Sequence, residues 1–406
     1  MIDPLTLNLR HLRALSAIAT GGSVRAAADA ISLSQPALTQ GLAKLEAALG
    51  VGLFERRPNG MLATPAGLVL GARTQAAIAC LAAALRDASS VPARGFGRAE
   101  WLITATQLRA FLALAEAGSF VGASAATGLS QPALHRAVRD LEHVTGLVLV
   151  ERRGRGVALS IAGRRLTRGA RLARSELTAG LAEIAPDDTA TSLLIGAMPL
   201  CRAQLLPAAI TRLLGEVPRV RIDVAEGSWR ELVEPLRDGS LDLLIGALRH
   251  PCPPDLEQRS LFVDRLVIVG RAGHPLAGAT APGLADLSHY PWVVGRTGSP
   301  LRTHWDRLFA GSTPPCAPVE CGSVMTTRGI LQRSDCLTLL SPEQVGLEIQ
   351  AGALAIIGTP LDGHERSIGI TTRRDWQPTR VQALFLQSLH DAVQDGRLPE
   401  SELVLG

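Results

Sequence analysis

The chain has 406 residues, of which 47% are hydrophobic and 19% are charged, and its formal net charge is +4 at pH 7. This length allows two to four domains that each bury a core, and the composition is typical of a soluble globular protein. We identify no apolar run near the ~18 residues needed to cross a membrane, and the N-terminus does not resemble a secretory signal. The sequence therefore predicts a cytoplasmic protein without a membrane partner.

The cysteines are scattered and show neither a Cys-x-x-Cys motif nor the Cys and His spacing of a zinc site. We predict free, buried thiols in a reducing compartment, with no bound metal and no cofactor. The six cysteines stand at positions 80, 201, 252, 316, 321 and 336.

The positive charge is concentrated in the first half of the chain. Residues 1–96 carry a net charge of +4 and residues 97–185 carry +5, so the remaining residues carry −5. A basic front part and an acidic back part predict that only the front part meets a polyanion.

The front part contains an internal duplication. The six residues Leu33–Leu38 recur at Leu129–Leu134, 96 positions later. Without any gap, about 25 of the 56 positions in 12–67 are identical in 108–163, which is too many for chance. The sequence therefore presents one structural module twice.

The first copy has the pattern of a winged helix-turn-helix. Ser34 is a good N-cap for a helix that holds Pro36 in its first turn and ends at Gly50. We expect Ala37 and the leucines of this helix to face inward. Polar side chains on its first turns would read base edges, and two arginines in a following β-wing would contact phosphates. The predicted DNA-binding residues of this copy are Ser34, Gln35, Pro36, Thr39, Gln40, Lys44, Arg56 and Arg57.

A long helix rich in alanine and leucine follows from about residue 65 to residue 87, and its apolar content predicts a packing partner. A linker follows at 89–104, and the second copy repeats the first one, including its long helix from about 161 to 183. The predicted DNA-binding residues of the second copy are Ser130, Gln131, Pro132, His135, Arg136, Arg139, Arg152, Arg153 and Arg155.

Both copies resemble the DNA-binding module of LysR-type transcriptional regulators. The likeness lies in the order Leu-Arg, Gly-Ser, Ser-Gln-Pro-Ala-Leu, Leu-Glu, Glu-Arg-Arg and Ala-Gly. The resemblance implies a bacterial DNA-binding dimer or tetramer that assembles through linker helices and has a C-terminal effector-binding domain. The family usually has one such module, so the second copy is a departure that leaves the oligomer open.

The two copies differ in the charge of the predicted recognition helix. The second copy has Ala137 and Arg139 where the first has Gly41 and Ala43, and it has the wing residue Arg155 where the first has Asn59. Fewer phosphate contacts weaken binding and reduce its dependence on salt. We therefore predict that the second copy is the main DNA reader. The first would be a weaker reader or an oligomerisation module.

After residue 190, short apolar strands alternate with helices, which predicts a mostly parallel α/β sheet. We expect strands near 193–198, 220–224, 241–246, 261–269, 291–295, 318–322, 336–340, 353–357 and 367–373, and a last helix at 378–394. This half resembles the effector domain of the same family, whose fold is that of type 2 periplasmic binding proteins. The expected fold class is thus α + α/β, with two winged helix-turn-helix domains and a two-lobed effector domain.

The predicted domains are two winged modules at 8–64 and 105–160, linker segments at 65–104 and 161–189, and an effector domain at 190–406. Within the effector domain, lobe one would comprise 191–269 and 355–406, and lobe two 270–354. Ligands of open α/β sheets bind beyond the carboxyl ends of strands. The predicted effector-binding residues are Pro199, Leu200, Cys201, Arg202, Glu226, Ser228, Ala247, Leu248, Thr297, Ser299, Ser323 and Val324.

The leading hypothesis is a transcriptional regulator that binds double-stranded promoter DNA and a small-molecule effector. Two alternatives stay open, an architectural DNA-binding protein with an inactive ligand lobe and a small-molecule enzyme or binding protein. We found no P-loop, dinucleotide fingerprint, nucleophile elbow or metal spacing, so we predict that the chain is not an enzyme. The effector, the target promoters and the sign of regulation cannot be read from the sequence.

Overall fold

The computed structural model describes residues 2–21, 24–31, 33–57, 60–88, 98–154, 156–185 and 191–396. Two compact units make up the chain. The first comprises residues 1–191 with 237–240, and the second comprises 192–236 with 241–406. The predicted wing residue Arg155 and most of the predicted linker lie outside the described residues.

The first unit contains the duplicated modules, each of which has three helices, a β-hairpin and a long helix. In the first copy these are α1 (Leu9–Gly21), α2 (Val24–Ala30), α3 (Gln35–Leu49), β1 (Phe54–Arg57), β2 (Gly60–Ala63) and α4 (Pro65–Ala88). In the second copy they are α5 (Ala105–Ala117), α6 (Phe120–Thr127), α7 (Gln131–Thr145), β3 (Val150–Arg153), β4 (Gly156–Leu159) and α8 (Ile161–Ile184).

Local signals place the ends of the equivalent helices α3 and α7. The Ser34 and Ser130 hydroxyls accept hydrogen bonds from the amides of Ala37 and Ala133, which lie on the first turns. Both helices end at a glycine in the left-handed region, Gly50 for α3 (φ 67°) and its counterpart 96 positions later for α7 (φ 68°). A side chain is strained at such an angle, so glycine favours the stop.

The long helices α4 and α8 pack against each other in antiparallel orientation. Ala84 lies against Gly169 near one end of the pair, and Arg73 lies against Gly180 near the other end. In each helix one row of buried positions follows the alternating three- and four-residue spacing of a coiled coil. They are Leu70, Thr74, Ala77, Leu81, Ala84 and Ala88 in α4, and Leu166, Ala170, Ala173, Leu177 and Gly180 in α8.

Helix α4 contradicts one expectation from the sequence. It is long and apolar enough to cross a membrane, with a mean hydropathy of 1.7 in an 18-residue window, so the prediction that no such run exists was wrong. Leucine, isoleucine and valine, together with many alanines, produce this value. The helix contacts α1 and α8. Its apolar content is therefore explained by the packing partners that the sequence led us to expect.

The two copies share one hydrophobic core. A single cluster of buried residues includes Leu12 and Leu42 from the first copy and Leu108 and Leu141 from the second. The fully buried guanidinium of Arg13 on α1 adds a polar connection, because it donates hydrogen bonds to the carbonyls of residues 100, 101 and 103, at the start of the second copy. The modules are therefore one packed body and not two independent domains on a string.

The second unit is an α/β structure. Its elements are β5 (Ser192–Ala197), α9 (Leu205–Glu216), β6 (Arg221–Glu226), α10 (Trp229–Arg237), β7 (Leu243–Ala247), β8 (Leu256–Arg265), β9 (Val267–Arg271), α11 (Leu284–Ser288), β10 (Val293–Val294), α12 (Pro300–Leu308), β11 (Val319–Glu320), α13 (Val324–Leu331), β12 (Thr338–Leu340), α14 (Pro342–Gln350), β13 (Leu354–Ile357), β14 (Glu365–Arg373) and α15 (Arg380–Gly396).

Two main sheets form two lobes in this unit. The first sheet has the strand order β6-β5-β7-β14-β8, and the second has the order β12-β9-β13. Strands β5, β6 and β7 are parallel, whereas β14 runs antiparallel to β7 and β8. The short strands β10 and β11 pair in parallel. The chain crosses from the first sheet to the second between β8 and β9, and returns between β13 and β14.

The predicted strand at 261–269 is in fact two strands. Strand β8 ends at Arg265 in the first sheet and β9 begins at Val267 in the second, with the fully buried Leu266 between them. The sequence run has no turn residue, because the chain stays extended while it changes sheets. Since β9 and β13 both belong to the second sheet, that sheet covers 267–357, wider than the predicted lobe at 270–354.

A buried ion pair and a histidine pair lie near this crossing. Asp264 accepts hydrogen bonds from Ser341 (2.6 Å) and Arg366 (2.7 Å). Nearby, the Nδ1 atoms of His304 and His364 are 3.3 Å apart. Burial, followed by the charges of His364 and Arg366, lowers the pKa of His304 to about 4, and burial also lowers the pKa of His364. Both imidazoles are therefore neutral in the folded protein at pH 7.

We expect this histidine pair to make the second unit acid-labile. Because the pKa of His304 falls on folding, the unfolded chain binds more protons between pH 6.5 and 4, and stability decreases as the pH falls through that range. In His304→Gln, unfolding measured by urea titration at about pH 7 and about pH 4.5 should depend less on pH. The matched control His390→Gln changes an exposed histidine and should retain the wild-type dependence. Equal pH dependence in both variants would contradict the expectation.

Candidate nucleic-acid interface and effector cleft

The two recognition-helix candidates, α3 and α7, expose most of the predicted DNA-binding side chains. In α3, Gln35, Pro36, Gln40 and Lys44 are exposed and Thr39 is half-buried. In α7, the exposed set is Gln131, Pro132, Arg136 and Arg139. The capping residues Ser34 and Ser130 are also exposed. A helix with an exposed polar N-terminal half can enter the major groove and direct side chains to base edges.

Two expectations for α3 need correction. Ala37 was predicted to face inward but is exposed, because Leu38, Leu42 and Leu45 already fill the inner face. Gly41, which the sequence comparison counted as a missing DNA contact, is buried against His11 of α1. The equivalent Ala137 is also buried, so this position bears on packing and not on DNA.

Gly41 and His11 form a complementary pair. A Cβ atom added to Gly41 would lie 2.4 Å from His11 Nε2, too close for any real contact. The second copy has alanine at the position of Gly41 and the non-aromatic Gln107 at that of His11. In the second copy, the added side chain at the position of Gly41 is therefore accompanied by a different side chain at the position of His11.

We expect Gly41→Ala to destabilise the first unit by about 1 kcal/mol, because overpacking forces only the far end of the His11 side chain to move. The double variant His11→Gln with Gly41→Ala reproduces the pair found in the second copy and should recover most of this loss. Urea unfolding of the two variants and of His11→Gln alone measures the coupling between the positions. Additive effects of the two substitutions would contradict the proposed contact.

His135 is partly engaged inside its own module. Its ring stacks on Phe120 of α6 with centroids 3.5 Å apart and an interplanar angle of 20°. The equivalent pair in the first copy is Thr39 and Val24. The stacked imidazole is held against the helix pair, so it is less free to reach a base than Arg136 or Arg139.

A repeated glutamate holds each wing. The Glu46 carboxylate accepts hydrogen bonds from the amides of Leu53 (2.7 Å) and Phe54 (3.1 Å) at the start of β1. Glu142 makes the same contacts in the second copy, at 2.8 and 3.2 Å. Sequence reasoning used the repeated Leu-Glu pair only as a signature and missed this role. The carboxylate fixes the wing relative to the recognition helix.

The repeated Ala-Gly pair has a related function. A Cβ atom on Gly67 would lie 2.1 Å from the Leu53 carbonyl oxygen, and Gly163 has the same relation to Leu149. Glycine therefore lets each long helix start directly beside its wing. Arg152 and Arg153 are exposed on β3 of the second wing. Arg56 and Arg57 lie on β1 at the equivalent positions, and their side chains lie outside the described part of the chain.

The predicted effector residues of the first lobe lie at one edge of its sheet. The parallel strands β5, β6 and β7 end at Ala197, Glu226 and Ala247, so the segments that follow them meet there. Arg202 is bound to Glu226 (2.9 Å) and also donates to the Ala197 carbonyl. The predicted residues grouped at this edge are Pro199, Leu200, Cys201, Arg202, Glu226, Ser228, Ala247 and Leu248.

Cys201 is a buried thiol that donates to the carbonyls of Met198 (3.1 Å) and Ile245 (3.3 Å). Burial raises its pKa to about 12. The thiolate is the reactive form of cysteine, so this position is chemically quiet at pH 7. The geometry favours a packing role for Cys201 over a redox-sensing role.

The predicted serines of the second lobe act as helix caps. Ser299 and Ser323 accept hydrogen bonds from the amides three residues on, at the starts of α12 and α13. The Thr297 amide donates to Glu320, and Val324 begins α13. Because β10 and β11 are parallel, the segments that contain these residues leave the same edge of the strand pair.

Several charged groups near these edges were not singled out from the sequence. Arg249 lies over the Trp229 ring at 5.4 Å from its centroid, and its buried Nε atom lacks a hydrogen-bond partner in the described structure. Hydrogen bonds from Ser228 lower the pKa of Glu231, with a further contribution from the charge of Arg296 in the second lobe. Its position two residues after the end of β7 could have identified Arg249 from the sequence. Among the described residues, no group of three His, Cys, Asp or Glu is placed to hold a metal ion.

Family comparisons agree with this architecture. The profile described as "Bacterial regulatory helix-turn-helix protein, lysR family" matches residues 9–68 and again residues 105–164. The profile described as "LysR substrate binding domain" matches residues 186–394. The chain belongs to the LysR family of transcriptional regulators. As a LysR-type regulator, it binds promoter DNA and has an effector-binding domain that modulates this function. Members of the family form oligomers.

Similar LysR-type regulators differ in how much of this chain they match. The HTH-type transcriptional regulator GalR of Pseudomonas putida is 35% identical over 378 residues, covering 92% of this chain and 94% of the relative. An alignment this long must extend into both winged modules of this chain. The SDS degradation transcriptional activation protein of a Pseudomonas species is 34% identical but covers only 62% of this chain and 83% of the relative.

Solved structures show the same fold. ArgP from Mycobacterium tuberculosis aligns with a TM-score of 0.57 and 18% identity, over 71% of this chain and 96% of that protein. A full-length OxyR variant from Pseudomonas aeruginosa aligns with a TM-score of 0.55 and 22% identity, over 71% of this chain and 94% of that protein. At these identities the likeness concerns fold only.

Proposed function

We propose that both winged modules of this regulator contact DNA and that the second provides most of the sequence-specific affinity. The observation that carries this proposal is the exposed face of α7, which presents Arg136 and Arg139 where α3 presents Gln40 and Ala43. Arginine can bind guanine with two hydrogen bonds in the major groove, a contact that glutamine and alanine cannot make. The remaining predicted DNA-binding residues of both copies would contact bases or phosphates beside them.

The proposed division of the chain is two winged modules at 8–64 and 105–160, their linker segments, and an effector domain from 190. We place the protein in the cytoplasm, where bacterial promoter DNA lies. The proposed role is regulation through binding alone, without catalysis, in keeping with the regulators to which the chain is similar.

The effector proposed here is a small anion, of the carboxylate class. It would bind where the predicted segments of the two lobes face each other, beyond the carboxyl ends of β5 and β7. Arg249 supports this choice, because its half-buried guanidinium has a donor without a partner in the described structure, and a desolvated arginine is stabilised by an anion. Burial and the neighbouring charge of Arg230 lower the pKa of Arg249, which a bound anion would reverse.

Ligand-dependent stabilisation of the full-length protein tests this proposal. A panel of small carboxylates, with matched amides as neutral controls, should contain members that raise the melting temperature of the wild type. Those same carboxylates should change promoter affinity by about 5- to 150-fold, the usual range of allosteric coupling. Arg249→Gln should abolish the shift, while the distant Arg333→Gln should retain it. Stabilisation by the amides and carboxylates alike would contradict an anion site.

A further inference from the structure

The contact between α4 and α8 is built from unlike partners. A Cβ atom added to Gly169 would lie 2.3 Å from the Ala84 Cβ atom, and one added to Gly180 would lie 2.9 Å from the Arg73 Cβ atom. At both places a side chain of α4 fits against a glycine of α8. Substituting either glycine would push the helices apart.

The duplication shows that these two places are one pair of positions used twice. In the 96-residue register, Gly169 is the counterpart of Arg73 and Gly180 is the counterpart of Ala84. Position 73 of the first copy contacts the counterpart of position 84 in the second, and position 84 of the first contacts the counterpart of position 73. This reciprocal contact defines an approximate two-fold axis through the middle of the α4–α8 pair. The modules therefore have the symmetry of a dimer inside one chain, with different residues at equivalent positions.

Charge reinforces the unlike pairing. Arg73, only 6% exposed, binds Glu176 (3.0 Å) and Glu183 (2.6 Å) of α8. Burial alone would lower the pKa of Arg73, but its hydrogen bonds to the two glutamates outweigh burial and raise the pKa. The counterparts of the glutamates in α4 are Cys80 and Asp87.

Neither helix is suited to pair with a copy of itself. If two α4 helices paired in the same way, Arg73 of each would lie against Ala84 of the other. The observed spacing between the helices has room for glycine there but not for a second side chain. Two α8 helices would place Gly169 against Gly180 and leave Glu176 and Glu183 without the arginine that binds them. When the contact between two identical helices is unfavourable, pairing between different helices is selected.

Contacts at the start of each copy hold the modules further. The 3₁₀ turn at Pro4–Thr6 packs on α5 and α8 of the second copy, and the turn at Ala99–Trp101 packs on α4 of the first. The exchange is reciprocal, as in a dimer of two chains. Both turns therefore add contacts between the two copies within the first unit.

The recognition helices share the exposed residues of their first turns, such as Gln35 and Gln131, but differ at four outward positions further along. Thr39, Gln40, Ala43 and Lys44 of α3 correspond to His135, Arg136, Arg139 and Asp140 of α7. Three of these four positions are exposed in both copies, and the pair Thr39 and His135 is half-buried. The two recognition helices are related by an approximate two-fold axis but carry different side chains. They are therefore complementary to two different base sequences in inverted orientation.

We propose that a single chain reads an operator of two unlike, inverted half-sites, one with α3 and one with α7. The α4–α8 seam is used within the chain, so the assembly of several chains relies on other surfaces. This inference rests on the proposed function, because it requires both modules to contact DNA. One chain would then bind both half-sites, a role that two chains would share if each supplied one module.

Selection of duplexes from a random DNA library with the full-length protein tests the inference. We expect a motif without palindromic symmetry that has two half-sites at fixed spacing. With excess duplex, native mass spectrometry should find equal numbers of chains and of duplexes that carry both half-sites in the complex. Scrambling either half-site should lower affinity more than about tenfold.

Variants of each module show which recognition helix contacts which half-site. Gln40→Ala with Lys44→Ala should relax the selected sequence in one half only, and Arg136→Ala with Arg139→Ala should relax the other. Arg333→Ala, outside the modules, should leave the whole motif unchanged. A palindromic motif that binds two chains, or a motif with one half-site, would overturn the inference while leaving DNA recognition intact. If the wild type enriches no motif, the proposed function fails and this inference fails with it.

Discussion

Replacing Arg73 with alanine is expected to destabilise the first unit by about 3–5 kcal/mol, the usual effect of removing one partner from a buried charge cluster. Glu176 and Glu183, 15% and 19% exposed, would be left without their arginine between packed helices. The loss should appear in urea unfolding. It should also appear as faster amide hydrogen exchange in α4 and α8, because these helices lose their mutual contact.

Two further variants separate charge from packing. Arg259→Ala removes an arginine that pairs with Glu257 at the surface (3.4 Å, 70% and 46% exposed), and it should cost less than about 1 kcal/mol. The triple variant Arg73→Met, Glu176→Leu and Glu183→Leu removes these three charges together and should cost much less than Arg73→Ala, because neither glutamate is left without its arginine. Equal stability of Arg73→Ala and Arg259→Ala would show that the cluster does not hold the modules together.

The second large effect concerns DNA. Arg136→Ala with Arg139→Ala should weaken binding to a target promoter by about 2–6 kcal/mol, if each arginine provides one good base contact of about 1–3 kcal/mol. Affinity for unrelated duplex should fall much less. Sequence preference should therefore weaken, along with affinity, in the half-site that α7 contacts.

Lys44→Ala with Arg57→Ala is the matched comparison, because it also removes two positive charges. Its effect on specific affinity should be smaller, since only Lys44 lies on a recognition helix and Arg57, in the wing, is predicted to contact phosphate whatever the sequence. Each variant should lower the salt dependence of log K by about 0.9 for every phosphate contact it removes. Fluorescence anisotropy on promoter and unrelated duplexes, over a range of salt, measures all of these quantities. Equal losses of specific affinity in the two double variants would contradict the ranking of the modules.

Features that depend on neighbouring residues in the sequence could be predicted. Ser34, Pro36 and Gly50 mark the ends of α3 through contacts within a few residues, and the structure has the helix there. The excess of alanine and leucine in α4 correctly indicated a packing partner. Its identity could not be read, because Arg73 and Glu176 are 103 positions apart and no local pattern connects them.

The errors have physical causes of the same kind. Gly41 looked like a lost DNA contact until its neighbour His11, distant in the sequence, was visible. The break at Leu266 has no turn residue, because the strand continues into a different sheet. The order of strands and helices indicated which segments follow the ends of parallel strands β5, β6 and β7, and the structure brings those segments to one edge of the sheet. The unsatisfied donor of Arg249 depends on tertiary burial and had no signal in composition.

Competition between genomic promoter fragments and unrelated duplex for the full-length protein, at several salt concentrations, tests most directly whether the two modules recognise sequence. We expect at least one promoter fragment to be bound about 10³-fold or more tightly than bulk duplex, with the preference retained as salt weakens both. Equal binding to promoter and bulk duplex at every salt concentration would contradict recognition by the winged modules.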